Sequence, residues 1–125
     1  MAEFDAFGLV VSDMAASLAF YRMLGVGLPD ATEDHVEGDL PGGVRMMFDT
    51  VDVVQSFSEW TAPSGGHRIA LAFRCAGPED VDATHAAIVA AGYRSHLDPF
   101  DAPWGQRYAT VLDPDDNPVD LYAPR

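Results

Sequence analysis

The stretch Asp113-Pro114-Asp115-Asp116-Asn117-Pro118 limits this chain's fold more than any other. Pro114 fixes φ, and the Asp and Asn side chains can bond their own backbone and tolerate left-handed geometry, so a tight turn is required. Tyr108 to Leu112 precedes it with the Tyr, Thr and Val that suit a pleated, half-buried surface. Val119 and Leu121 alternate with Asp120 and Tyr122 after it, which places two aliphatics on one face and a carboxylate and a phenol on the other. The reading is a terminal hairpin, beginning near Trp104, with a polar group on one face.

The rest of the chain reads as two similar halves. Phe4 to Val11 is a strand with Phe7, Leu9 and Val11 on one face and Ala6, Gly8 and Val10 on the other. Ser12-Asp13 offers a helix N-cap. Met14, Leu18, Phe20, Tyr21, Met23 and Leu24 give the helix its apolar positions, and Gly25 ends it with a left-handed cap. Pro29 to Glu33 is a loop. A weak strand over 34–40, a Pro41-Gly42-Gly43 turn and a strand over 44–49 follow. A short helical connection is expected over 51–58, then a Pro/Gly/Ser-rich linker from Trp60 to Gly66.

In the second half Ile69 to Phe73 is an apolar strand. Gly77-Pro78-Glu79-Asp80 opens a helix, with Pro in its first turn and two acids at the positive end. Val81, Thr84, Ile88 and Ala91 form its inner stripe, and Gly92 ends it. Tyr93 to Leu97 is a strand, which Asp98-Pro99 is expected to break before the terminal hairpin. Strand, helix and further strands thus recur, as an α+β fold of two modules, about 4–60 and 67–123.

Trp-Gly-x-Arg at Trp104–Arg107, followed by Asp-Pro-Asp-x-Asn-x-x-Asp-Leu at Asp113–Leu121, resembles the closing signature of the vicinal oxygen chelate superfamily. That group includes glyoxalases, extradiol dioxygenases and bleomycin-binding resistance proteins. The segments Phe48-Asp49-Thr50-Val51, Trp60 to Arg68 and Trp104 to Tyr108 resemble its drug-binding branch, which includes the mitomycin-binding resistance proteins. The resemblance implies two βαβββ modules forming a curved mixed sheet cup, paired in a homodimer, with helices on the convex side and ligand on the concave side.

Metal-using members carry a His on the first strand, a His opening the second module's strand and a Glu on the last strand, where this chain has Asp. Aligned through the flanking motifs, these positions fall on Ala6, Ala70 and Asp120. A methyl group donates no electron pair, and a single carboxylate holds a divalent ion weakly. His67 lies three residues before Ala70 and has the opposite strand parity. His85 is expected on the solvent side of its helix, and His96 at a strand end. No metal or other cofactor is expected.

Other chemistry is thinly represented. Cys75 is the only cysteine, excludes an internal disulfide and reads as a small buried hydrophobe. No nucleophile elbow, phosphate loop or dinucleotide fingerprint is present. The 20 acidic and 7 basic residues give a formal charge of −13. That balance argues against nucleic acid and anionic membranes as partners, since phosphate contacts need Lys and Arg clusters. The apolar runs are too short to span a bilayer, and the N-terminus lacks a signal-peptide pattern. A cytoplasmic protein is expected.

The leading expectation is a metal-free protein that sequesters a planar aromatic or quinone antibiotic. Trp104 is its stacking jaw and Asp120 its acceptor, with Phe48, Trp60, Arg107, Tyr108 and His35 as further candidates. Phe48 and Phe57 also fit an ordinary core, and Arg107 an ion pair with a neighbouring acid. The alternatives are a metal-dependent glyoxalase or dioxygenase using Asp120 and His67, or a metal-free acid–base isomerase or cyclase. The last would need a shifted pKa at Asp49, Asp120 or His35.

Overall fold

The structure, a computed structural model, describes residues 1–30, 33–65 and 69–125. It divides into two compact units, Met1–Ser64 and Gly65–Arg125. His67, a candidate ligand, lies outside the described residues.

In the first unit, strand β1 (Ala6–Val11) leads into helix α1 (Met14–Met23), then β2 (His35–Asp39), β3 (Arg45–Thr50) and the short α2 (Val51–Gln55). Asp13 caps α1 by accepting from the Ala16 N–H over 3.1 Å, which satisfies one of the helix's free donors. Gly25, at φ +87°, supplies the left-handed exit. β3 lies between the other strands, parallel to β1 and antiparallel to β2. Met14, Leu18, Phe20 and Tyr21 of α1 are buried, as are Val36, Met46 and Phe48 of the sheet. Gly38 sits at a close approach: a Cβ there would meet the end of the Leu28 side chain at 2.7 Å and the Gly27 carbonyl oxygen at 3.1 Å.

The second unit follows the order β4 (Leu71–Arg74), α3 (Pro78–Ala90), β5 (Arg94–Ala102), β6 (Gln106–Leu112) and β7 (Pro118–Pro124). Its sheet runs β4-β7-β6-β5, with β4 parallel to β7 and the other pairs antiparallel. Helix α3 packs on β5, β6 and β7. Ala109, Val111, Val119, Leu121 and Ala123 are fully buried, and strand alternation puts them all on the α3 side. Val81 and Ile88 face them from the helix, both fully buried, each contributing about 1.5–3 kcal/mol of apolar burial. The turn is built as its residues require. The buried Asp113 carboxylate accepts from the Asp115 and Asn117 N–H groups, both at 2.9 Å, and from Asn117 Nδ2 at 2.7 Å. Asp116 takes the left-handed position at φ 67°.

The architecture is mixed α+β, with two mixed sheets in βαβββ-like modules. Only the second unit shows all four strands. In the first, Val26 to Asp34 stands where β5 stands in the second, and no strand forms among its described residues. Three further expectations need correction. β5 is not broken at Asp98-Pro99 but continues to Ala102 through two register shifts; it is an edge strand, where Pro costs no ladder hydrogen bond. His85 is not solvent-facing: it is 9% exposed, and its Nε2 is 2.8 Å from Ser95 Oγ, which itself donates to Asp98 Oδ1 over 2.6 Å. Ala91 is exposed and falls off the inner stripe of α3, where His85 takes a place instead.

Candidate functional site

The face of the second sheet turned away from α3 carries the most concentrated chemistry among the described residues. Cross-strand partners share a face, so the register places its residues in rows. One row is Phe100, Tyr108, Tyr122 and Arg74, across β5, β6, β7 and β4; the next contains Thr110, Asp120 and Ala72.

At the β5–β6 turn, Pro103, Trp104 and Gly105 form a three-residue loop between the paired Ala102 and Gln106. Gly105 sits at φ +86°, the left-handed closing position such a loop needs. This loop delivers the Trp104 ring onto the aromatic row. The indole meets Tyr108 at a ring-centroid distance of 5.2 Å and Phe100 at 6.2 Å, both edge to face. Phe100 and Tyr108 make the third contact at 6.1 Å. Such geometry adds about 0.5–1.5 kcal/mol per pair beyond area burial. The indole N–H donates to Gln106 Oε1 over 2.9 Å, which fixes the ring although 58% of Trp104 remains exposed. An exposed, anchored indole is a ready stacking surface.

Asp120 adjoins this platform. Its Oδ1 accepts from the Thr110 hydroxyl over 2.7 Å. Burial, followed by the neighbouring Asp120 carboxylate, pushes the Tyr108 phenol up to about 12. Tyr108 therefore stays a neutral donor at physiological pH.

The other candidates are placed elsewhere. Arg107 has the opposite parity to Tyr108. Its guanidinium donates to both Asp82 oxygens on α3, at 2.9 and 3.1 Å, and to Asp101 at 3.2 Å. It ties the helix to the sheet, away from the aromatic row. Phe48 is a correction: it is 0% exposed and packs on Tyr21 with centroids 5.5 Å apart, so it belongs to the core of the first unit. Trp60 is half-exposed in the segment after α2, its carbonyl accepting from Gln55 Nε2 at 3.2 Å.

His35 opens β2 opposite Asp49 on β3. Its Nδ1 is 2.5 Å from Asp49 Oδ1 and its Nε2 is 2.7 Å from Glu37 Oε2. Arg45 extends the network, donating to Glu37 and to Asp5. The bond to Glu37 and then that to Asp49 raise the His35 pKa above its ordinary value, while His35 and Arg45 hold Glu37 below its own. Both imidazole nitrogens are thus occupied by carboxylates, which braces two strands of the sheet.

The metal chemistry implied by the resemblance does not fit these residues. Ala6 and Ala70 present methyl groups, and Asp120 is engaged with the Thr110 hydroxyl. Among the described residues no group of three or more His, Cys, Asp or Glu side chains is arranged to hold a metal ion. Cys75 is partly buried, and burial raises its thiol pKa. That disfavours the thiolate a nucleophile needs.

Phe100 is the one member of the aromatic row that sequence reasoning passed over. Its signal was available: once β5 runs through Pro99, Phe100 falls opposite Tyr108.

Comparison with known proteins agrees with this architecture. The sequence signature of the Glyoxalase/Bleomycin resistance protein/Dioxygenase superfamily matches residues 3–121. No curated protein matches the sequence significantly. Hypothetical protein SA1046 from S. aureus has a similar structure, with TM-score 0.83 at 20% identity, over 98% of this chain and 94% of that one. A glyoxalase/bleomycin resistance protein/dioxygenase family enzyme from Burkholderia phytofirmans PsJN gives TM-score 0.79 at 22% identity, over 97% of this chain and 98% of that one. Protein ATC0852 from Agrobacterium tumefaciens gives 0.74 at 27% identity, over 100% and 99%. With the signature running through both units and ending on the β7 strand that carries Asp120, the chain belongs to the glyoxalase/bleomycin resistance protein/dioxygenase superfamily.

Proposed function

We propose that this chain is a small-molecule binding protein that sequesters a planar aromatic or quinone ligand, as drug-binding members of its superfamily do, without a metal. On this reading it confers antibiotic resistance from the cytoplasm as a homodimer, in the manner of the mitomycin-binding branch. The observation that carries it is Trp104: a largely exposed indole, held edge to face against Phe100 and Tyr108 and pinned through its N–H to Gln106. A flat ligand covering such a ring gains dispersion and apolar burial with little ordering cost to the protein. Asp120 orients it.

The test is tryptophan fluorescence during titration with a panel of planar antibiotics, with and without Mn²⁺, Fe²⁺, Zn²⁺ or a chelator. Saturable quenching by one drug class, indifferent to metal, is expected. Quenching that appears only with metal would return the chain to the glyoxalase or dioxygenase reading.

One observation favours an acid–base enzyme instead, the His35–Asp49 contact. A general base needs a free lone pair, and here Glu37 engages the second nitrogen. An isomerase whose rate collapses in His35→Gln would restore that reading.

A further inference from the structure

The polar groups of the binding face stand in an order that prescribes the edge of its ligand. The half-buried Asp120 accepts a hydrogen bond from Thr110. That donor is neutral, and Asp120 takes part in none of the ion pairs among the described residues. A hydroxyl has a single hydrogen, so Thr110 has spent its own on this carboxylate. What Asp120 still offers is lone pairs. Charge-assisted hydrogen bonds to such a carboxylate are roughly twice as strong as neutral ones.

One row along, the polarity reverses. Arg74 is the cross-strand partner of Tyr122, as Ala72 is of Asp120, so Arg74 and Asp120 share a face on neighbouring rows about 7 Å apart along the strand direction. Arg74 is exposed and makes no hydrogen bond or ion pair among the described residues. A guanidinium offers donors only. The Tyr122 phenol, on the same row, can donate or accept and does not discriminate.

We infer that the ligand is an amino-substituted aromatic carbonyl compound, its N–H directed at Asp120 and its carbonyl at Arg74, rather than a quinone bearing acceptors alone. This rests on the binding-protein reading above. A ring with carbonyls on every polar edge would set lone pairs against the Asp120 carboxylate and leave it only the Thr110 hydrogen bond beneath the ligand. A site built around one polar group discriminates strongly against an analogue that cannot satisfy it.

The test uses 9-fluorenone and 2-amino-9-fluorenone, planar ketones that differ by one amino group, in equilibrium dialysis against the 125-residue chain. The amino compound is expected to bind at least tenfold more tightly. In Asp120→Ala the Thr110 hydroxyl becomes a free donor, so the preference should vanish or reverse. Asp120→Asn keeps the side chain's shape should the alanine variant lose its fold, and should narrow the preference to within a few-fold. Arg74→Gln should weaken both compounds by the same factor. Equal affinities in the unmodified protein, or a preference that survives both Asp120 variants, would overturn the inference and leave the binding reading standing. The same holds if planar antibiotics quench Trp104 while neither fluorenone binds. If no planar compound binds at all, both fall together.

Discussion

Thr110 and Asp120 face each other across the β6–β7 pair, and the Thr110 hydroxyl donates to Asp120 Oδ1 over 2.7 Å. Thr110 is almost completely buried and Asp120 half-buried, so this contact aims the carboxylate from below. This donor orients the acid on the row next to Tyr108, and such preorganisation is what a binding site on a rigid sheet requires.

Thr110→Val keeps the side chain's shape and deletes the donor. It leaves the Asp120 oxygen short of a partner, which should cost about 1 kcal/mol, the lower end of the range because the acid can still reach water. Urea denaturation of the variant and of Thr110→Ser checks this. The serine variant should recover most of the loss, and equal stability of Thr110→Val and the parent would show that the contact does not orient Asp120.

His35 should make the first unit's stability depend on pH. An unfolded imidazole titrates near 6.5, and Glu37 and Asp49 raise the folded value above that. The contribution is therefore fully present below about 6.5 and is lost as pH rises through the folded value. The stability gap between the parent and His35→Gln should shrink from pH 6 to pH 8.5 in urea melts. A gap that stays constant or widens would mean that the imidazole is not held as a cation by the two acids.

Phe48 separates core from site. Phe48→Leu should destabilise the protein by an amount between the roughly 1 kcal/mol of one lost methylene and the roughly 3–5 kcal/mol of full truncation. Its ligand affinity, measured where the variant is folded, should match the parent's. A selective loss of affinity would return Phe48 to the binding surface.

The elements legible from sequence were those whose signals are local. Asp13 and Gly25 bracket α1 through bonds and dihedrals that neighbouring residues determine, and the Asp113–Asn117 turn closes on itself. The illegible parts depend on pairing partners far away in the chain. Pro99 reads as a strand breaker until β5 is known to be an edge strand, and with that misreading Phe100 drops out of sight. His85 reads as polar and exposed until Ser95, ten residues on, is known to sit opposite it. For the candidate site, Trp104 and Asp120 were visible as an unusual loop aromatic and a strand acid. Their relation to Tyr108, Thr110 and Arg74 needed the register of four strands. Arg107 could be read either as a site residue or as an ion-pair partner, and only the parity of β6 against α3 decides.

Trp104 as the surface on which a ligand stacks is tested most directly by its own replacement. Trp104→Ala removes two edge-to-face contacts and the hydrogen bond to Gln106, which should destabilise the protein by about 1–3 kcal/mol, so affinities are compared where the variant is folded. The measurement is a fluorescence titration of the parent, Trp104→Ala and Trp60→Phe with the planar drug that quenches the parent. Trp60→Phe should keep the full quenching curve, whereas Trp104→Ala should lose the quenching and, by equilibrium dialysis, at least tenfold in affinity. Unchanged affinity in Trp104→Ala would remove the indole from the site.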